Sequence, residues 1–305
     1  MSRFIKSLCI AMSLFVSFQA HAVFVPEEMS GPIDLNDATN SPLTEPVEFT
    51  RVVKNIENMY IPIVRKLGGK LSVKAQWGNN TPNAFAKKTF GNWQVVITGG
   101  LARHPAMSKD GIALVVCHEI GHHLAGFPFV ETGLAALLGM NWVSNEGEAD
   151  YYATQVCARK IWANEVKENE VFRSTASALV KSECDKIWKK EADQNLCYRS
   201  VTAAESLAEV LASLSKRGNP QLHTPSLAVV AQTYDGHPEA QCRLDTYFQG
   251  AICPMGWIDA MVPGKKQPGG KKGVAAERQA AMTSCTATSG FKVGLRPSCW
   301  YKARM

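Results

Sequence analysis

The 305-residue chain has no Gly-x-Ser-x-Gly motif, no Cys-x-x-Cys pair, no internal repeat and, beyond its first 22 residues, no apolar run long enough to cross a bilayer. The first absence speaks against serine-hydrolase chemistry of the nucleophile-elbow kind. The second removes the usual spacing of thiolate metal sites and of dithiol redox centres. The last leaves no internal membrane anchor. Charge of one sign is also scarce. Thirty-three Lys and Arg stand against 27 Asp and Glu, a formal net charge of +6. So mild an excess does not argue for nucleic acid as a partner.

Residues 1–22 read as a cleavable signal peptide rather than as part of the fold. Arg3 and Lys6 give a basic start, Leu8 to Phe18 an apolar core, and Ala20-His21-Ala22 a small-x-small cleavage site. The apolar core is too short to span a bilayer comfortably, and Cys9 lacks the context of a lipoprotein cleavage site. Cleavage before Val23 leaves 283 residues with a formal net charge of +4 and an exported, periplasmic or secreted product. That length holds one large domain, with or without appendages.

Eight cysteines remain, an even number that suggests disulfides in an exported chain. Proximity along the chain pairs Cys184 with Cys197, Cys242 with Cys253 and Cys285 with Cys299. Cys117 and Cys157 are left to pair with each other or to stay as buried thiols.

What the sequence does contain is Cys117-His118-Glu119-Ile120-Gly121-His122-His123, preceded by the apolar run Gly111 to Val116. Residues four apart share a helix face, so His118 and His122 can point at one metal ion. Zinc lowers the pKa of a bound water to roughly 7, and Glu119, one step round the helix, is placed to take its proton. His123 lies about 100° further round and is read as structural. Catalytic zinc takes three protein ligands and keeps one position open. The third candidate is in Ser144-Asn145-Glu146-Gly147-Glu148-Ala149-Asp150, a helix start capped by Ser144 or Asn145. Glu146 and Asp150 are four apart: Glu146 can ligate, while Asp150 can hydrogen-bond a ligating histidine and fix its ring. Gly147 is a weak helix former at a conspicuous place.

This pair of helices resembles the gluzincin metallopeptidases related to the CAAX prenyl protease and the HtpX protease. Asn83-Ala84-Phe85-Ala86, the strand from Trp93 to Thr98, and His237-Pro238 with Arg243 are similar to further segments of that family, in the same order between about residues 50 and 245. The resemblance implies one zinc per chain held by His118, His122 and Glu146, with Glu119 as base. It also implies roles in catalysis for His237 and Arg243. His237 would donate to the developing oxyanion or, alternatively, swing onto the zinc and block it at rest. Arg243 would hold Glu146, Asp150 or the substrate. Many members are embedded in membranes, and this chain departs from them.

The expected architecture is α+β and mostly helical, a zincin-like fold with a small antiparallel sheet beside the histidine helix. Its parts are an extended leader over 23–46, a metallopeptidase domain over 47–250 and a basic, cysteine-containing C-terminal appendage over 251–305. Residues 47–66 read as an amphipathic helix with Val52, Val53, Ile56, Ile63 and Val64 inward. Strands are expected from Lys70 to Trp77 and in two pieces over 84–98, and the strand Trp93–Thr98 is a candidate edge for an added substrate strand. Helices follow over 109–125, 146–162 and 165–216. Phe127 to Trp142 is either core or the wall of an apolar pocket. Residues 264–305 carry nine Lys and Arg against Glu277, which serves solubility or weak contact with anionic envelope surfaces.

The function read from these features is an exported zinc metalloendopeptidase with polypeptide substrates and no nucleic-acid partner. The alternatives are a non-catalytic zinc-binding envelope chaperone or assembly factor on the same fold, and a zinc amidase acting on cell-wall peptides. The intact mass of protein recovered after export should correspond to a chain beginning at Val23. A mass that retains residues 1–22 would contradict the cleavage site.

Overall fold

The computed structural model describes residues 21–31, 45–130, 142–266 and 273–303. The signal segment before His21, most of the leader, the apolar stretch 131–141 and the basic residues 267–272 lie outside the described residues, together with the expectations attached to them.

Helix α1 spans Pro46–Lys66. Pro46 sits at the start, where its missing N–H costs nothing, and Arg65 and Lys66 lie at the end, where the helix dipole favours cations. Phe49, Val52, Val53, Ile56, Tyr60, Ile63 and Val64 form one buried stripe, which packs on the sheet and on the histidine helix.

The sheet has four strands in the order β1 (His21–Val23), β3 (Ala84–Thr89), β4 (Asn92–Thr98), β2 (Lys70–Gln76). β1 and β4 both run antiparallel to β3, while β2 runs parallel to β4. The sheet is therefore mixed, not purely antiparallel. β3 and β4 form a hairpin whose turn, Phe90 at φ 45° and Gly91 at φ 82°, has the backbone a two-residue turn requires. That hairpin puts β4 inside the sheet with partners on both sides. The expectation that Trp93–Thr98 could be an edge is overturned: β4 has no free hydrogen-bonding side, and the edges are β1 and β2.

The histidine helix, Lys109–Leu124, starts where Ser108 Oγ accepts from Gly111 N at 2.9 Å. It is buried from Gly111 to Leu124, packed by α1, β3, β4, the glutamate helix and the long helix Glu191–Ser215. A helix with neighbours on every face has no polar side, which explains its unbroken apolar start. The glutamate helix, Glu146–Tyr152, is capped by Asn145, whose Oδ1 accepts from Glu148 N at 3.0 Å. The two helices approach closely because Gly121 has no side chain: a Cβ there would lie 3.0 Å from Ala149 Cα. The glutamate helix does not continue as plain α-helix to residue 162. It passes through a π-helical turn, Ala153–Ala158. Residues 165–216 resolve into three helices, Val166–Thr175, Ala178–Ile187 and Glu191–Ser215.

Among the described residues four disulfides are present. Cys184–Cys197 is as expected, and Cys117–Cys157 closes between the two site helices with Cα atoms 5.5 Å apart. The other two differ: Cys242 pairs with Cys299, and Cys253 with Cys285. Cys242 lies in the first turn of the helix Ala240–Ala251, and Cys253 lies two residues beyond its far end. The nine helical steps from Cys242 to Ala251 alone span about 14 Å, about twice the separation a disulfide tolerates. The observed pairs close longer loops, worth about 4 kcal/mol each in the chain-entropy account, and tie the C-terminal segment to the body of the molecule. Peptide mapping without reduction should recover Cys242–Cys299 and Cys253–Cys285. A Cys242–Cys253 peptide would contradict this connectivity.

Candidate metal centre

Register along the two helices brings His118, His122 and Glu146 to one point. Glu146 Oε2 lies 3.3 Å from His118 Nε2, and Oε1 lies 3.4 Å from His122 Nε2. The two rings stand nearly perpendicular, 4.6 Å apart. Both imidazoles are held from behind. His118 Nδ1 donates to Asp150 Oδ1 at 2.7 Å, and His122 Nδ1 donates to the Ser144 carbonyl at 2.8 Å. A carbonyl can only accept, so the proton of neutral His122 is on Nδ1 and the Nε2 lone pair faces the centre.

The atoms at the centre are unsatisfied. His118 Nε2, His122 Nε2, Glu146 Oε2 and both carboxylate oxygens of Glu119 are buried without a hydrogen-bond partner. Buried polar atoms are almost always paired. Several orphans converging on one point fit a cation bound there. Ligand atoms of His118, Glu119 and His122 also lie within 4.8 Å of one another, so Glu119 lines the same space.

Charge distinguishes the two carboxylates. Burial alone would raise the Glu146 pKa, but the neighbouring His237, His122 and His118 outweigh it and hold the carboxyl well below its usual range. Glu119 goes the other way: burial dominates and pushes it up to about 8. Burial drives His122 down to about 4. It acts on His118 too, but Asp150 and Glu146 overcome it and raise that ring to about 9. Glu146 thus stays ionised where it meets His118 and His122, with Asp150 ionised behind His118.

Arg243 stands behind Asp150. Its Nε and Nη2 donate to Asp150 Oδ2 and Oδ1, both at 2.7 Å, in a buried bidentate pair. Of the three partners open to it, Arg243 takes Asp150 most directly, and it remains 3.7 Å from Glu146 Oε2. His237 is at the rim, a quarter exposed, with Nε2 3.6 Å from Glu146 Oε1 and donating to the Val23 carbonyl at 2.6 Å. His123 faces elsewhere, stacked between Trp93 and Trp142.

Three contributors were not legible in the sequence. Ser144 acts through its carbonyl, which any residue would supply. Residues Val23 and Phe24 arrive from far along the chain. The C-terminal segment supports the glutamate helix from its far side: Arg296 donates to both oxygens of buried Glu148 at 2.5 and 2.6 Å, and Trp300 covers Gly147. A Cβ on Gly147 would lie 2.1 Å from the indole, which explains the weak helix former at that place.

Residues 47–246 match the family model of peptidase family M48. No curated protein and no solved structure matches the chain.

Zinc should copurify at one ion per chain, as elemental analysis of the mature protein would show. His122→Ala should lose it. Asp150→Asn should weaken zinc binding about 10–100-fold, because the ring of His118 loses its charged partner, and should also lower stability, because the buried Arg243 guanidinium loses its counter-charge. Metal-free wild-type protein indifferent to added zinc would contradict the site.

Proposed function

The chain belongs to peptidase family M48, the gluzincin metallopeptidases that include HtpX and the CAAX prenyl protease and use zinc, and from that premise we propose that it is an exported metalloendopeptidase acting on envelope or misfolded polypeptides. The observation that carries this reading is Glu119. Its carboxylate is buried without a hydrogen-bond partner beside the Nε2 atoms of both histidines. Holding a structural metal does not require that group, and leaving it unpaired is costly.

When bound, zinc supplies Lewis acidity to a water and to the substrate carbonyl. The chain's residues do the rest. His118, His122 and Glu146 hold the ion, with Asp150 and Ser144 fixing the two rings. Glu119 accepts a proton from the attacking water and returns it to the leaving amine; its raised proton affinity suits both transfers. Arg243 positions Asp150 and keeps it ionised. His237 Nε2 already donates to a backbone carbonyl at the rim, and the same donor serves the oxygen on which negative charge grows. Export is supported by the leader-like sequence of residues 1–22 and by four disulfides, which persist in oxidising compartments. No helix among the described residues is long and apolar enough to cross a membrane.

Glu119→Gln should retain zinc and fold while losing at least about 10²-fold in hydrolysis of an unfolded casein-like substrate. Undiminished turnover would place the base elsewhere. Wild-type protein that binds zinc but cleaves no polypeptide would favour the non-catalytic reading.

A further inference from the structure

The side of β3 away from β4 is covered by the chain's own N-terminal segment. Val23 lies opposite Phe85 in antiparallel register, and Phe24 N donates to the Ala84 carbonyl at 2.8 Å. Asn83 continues the ladder with its side chain: Val25 N donates to Oδ1 at 3.1 Å, and Nδ2 donates to the Val25 carbonyl at 2.9 Å. The other side of this strand faces the metal centre. His237 Nε2 donates to the Val23 carbonyl at 2.6 Å, and Arg243 Nη1 donates to the Phe24 carbonyl at 2.9 Å. The Phe24 ring sits edge-on to His118, with centroids 5.1 Å apart, and lies under the Arg243 guanidinium at 4.4 Å. Phe24 is fully buried. Pro26 follows and has no N–H to continue the ladder. Val25, Pro26 and Met29 then line a cavity of about 290 Å³ shared with His237 and Arg243.

An extended peptide held by main-chain bonds on a sheet edge, with one side chain in a pocket, is how strands are recognised generally. Here the peptide lies against the residues proposed to do the chemistry. We propose that Val23-Phe24-Val25 is an intramolecular pseudosubstrate that fills the polypeptide-binding edge of β3, so that a substrate must displace it. This rests on the metallopeptidase reading of the site. The contacts also define the substrate class: an extended segment with a large apolar side chain in the place of Phe24. Cleavage after Ala22 removes the pairs His21–Lys87 and Ala22–Ala86 from β1 but none of the residues that make the hydrogen bonds of Val23, Phe24 and Val25 described above. A competitor on the same chain lowers the apparent affinity for an external peptide by the fraction of time the edge is free.

The test uses the mature, zinc-loaded protein and a fluorescent peptide of its own residues 23–28, Val-Phe-Val-Pro-Glu-Glu, with binding read by fluorescence polarisation. Phe24→Ala should bind the peptide at least about tenfold more tightly than wild type, with zinc content unchanged. Phe24→Leu, which keeps an apolar plug, should stay near wild type. The same peptide with Ala in place of Phe should bind Phe24→Ala weakly. kcat/KM for an extended apolar substrate should rise in the order of peptide affinity. If Phe24→Ala does not fold, hydrogen exchange on wild type decides. Added peptide should speed exchange at Phe24 and Val25 while the β3 amides stay protected. Equal peptide affinity in all variants, or exchange at Phe24 unmoved by saturating peptide, would make the segment a fixed structural strap and overturn the proposal. Because binding is read without turnover, peptide affinity that changes as expected in a protein with no hydrolysis would count against the peptidase reading alone.

Discussion

Two carboxylates, Glu146 and Asp150, are buried in the middle of this molecule, and the rest of the structure depends on compensating them. A buried charge without a partner is among the most expensive features a fold can carry. Asp150 is matched by the Arg243 guanidinium and by His118 Nδ1, Glu146 by the open nitrogens of His118 and His122. That arrangement is complete for Asp150 and incomplete for Glu146, whose Oε2 lacks a hydrogen bond. A divalent cation completes it. Glu119 beside it stays in excess, a buried acid with no structural partner, and that surplus separates a hydrolytic site from a metal clip.

Holding two helices close enough for this geometry falls to several unlike devices. Gly121 lets the backbones approach, and Cys117–Cys157 bonds them covalently one residue from His118. The Arg296–Glu148 pair and Trp300 press on the glutamate helix from the opposite face. Both C-terminal residues lie outside the stretch 47–246 that matches the family, as does the N-terminal strand lying against His118. The two ends of the chain thus act on the centre from different sides: one braces the helix that carries Glu146, the other lies along the edge of β3.

The central residues were legible because helical register is local. His118 and His122, like Glu146 and Asp150, are four apart, and nothing outside each helix is needed to place each pair on one face. The core stripe of α1 was legible for the same reason. What sequence could not supply was non-local. β2 pairs with β4 rather than with its neighbour in the chain, and β1 reaches β3 across some sixty residues. Proximity along the chain misled for Cys242 and Cys253, because the residues between them form a rigid helix rather than a closing loop. Arg243 was placed near the right carboxylates, yet only the structure shows that it grips Asp150 with both ends of its fork.

The most direct measurement of the central claim is the position of the metal itself. Crystals of the mature protein, with diffraction recorded on both sides of the zinc absorption edge, should give one anomalous peak per chain, about 2.0–2.2 Å from His118 Nε2, His122 Nε2 and a Glu146 oxygen. Glu119 should lie beside the peak without ligating it. A peak bound by other residues, or none between the two helices in zinc-soaked crystals, would contradict the account.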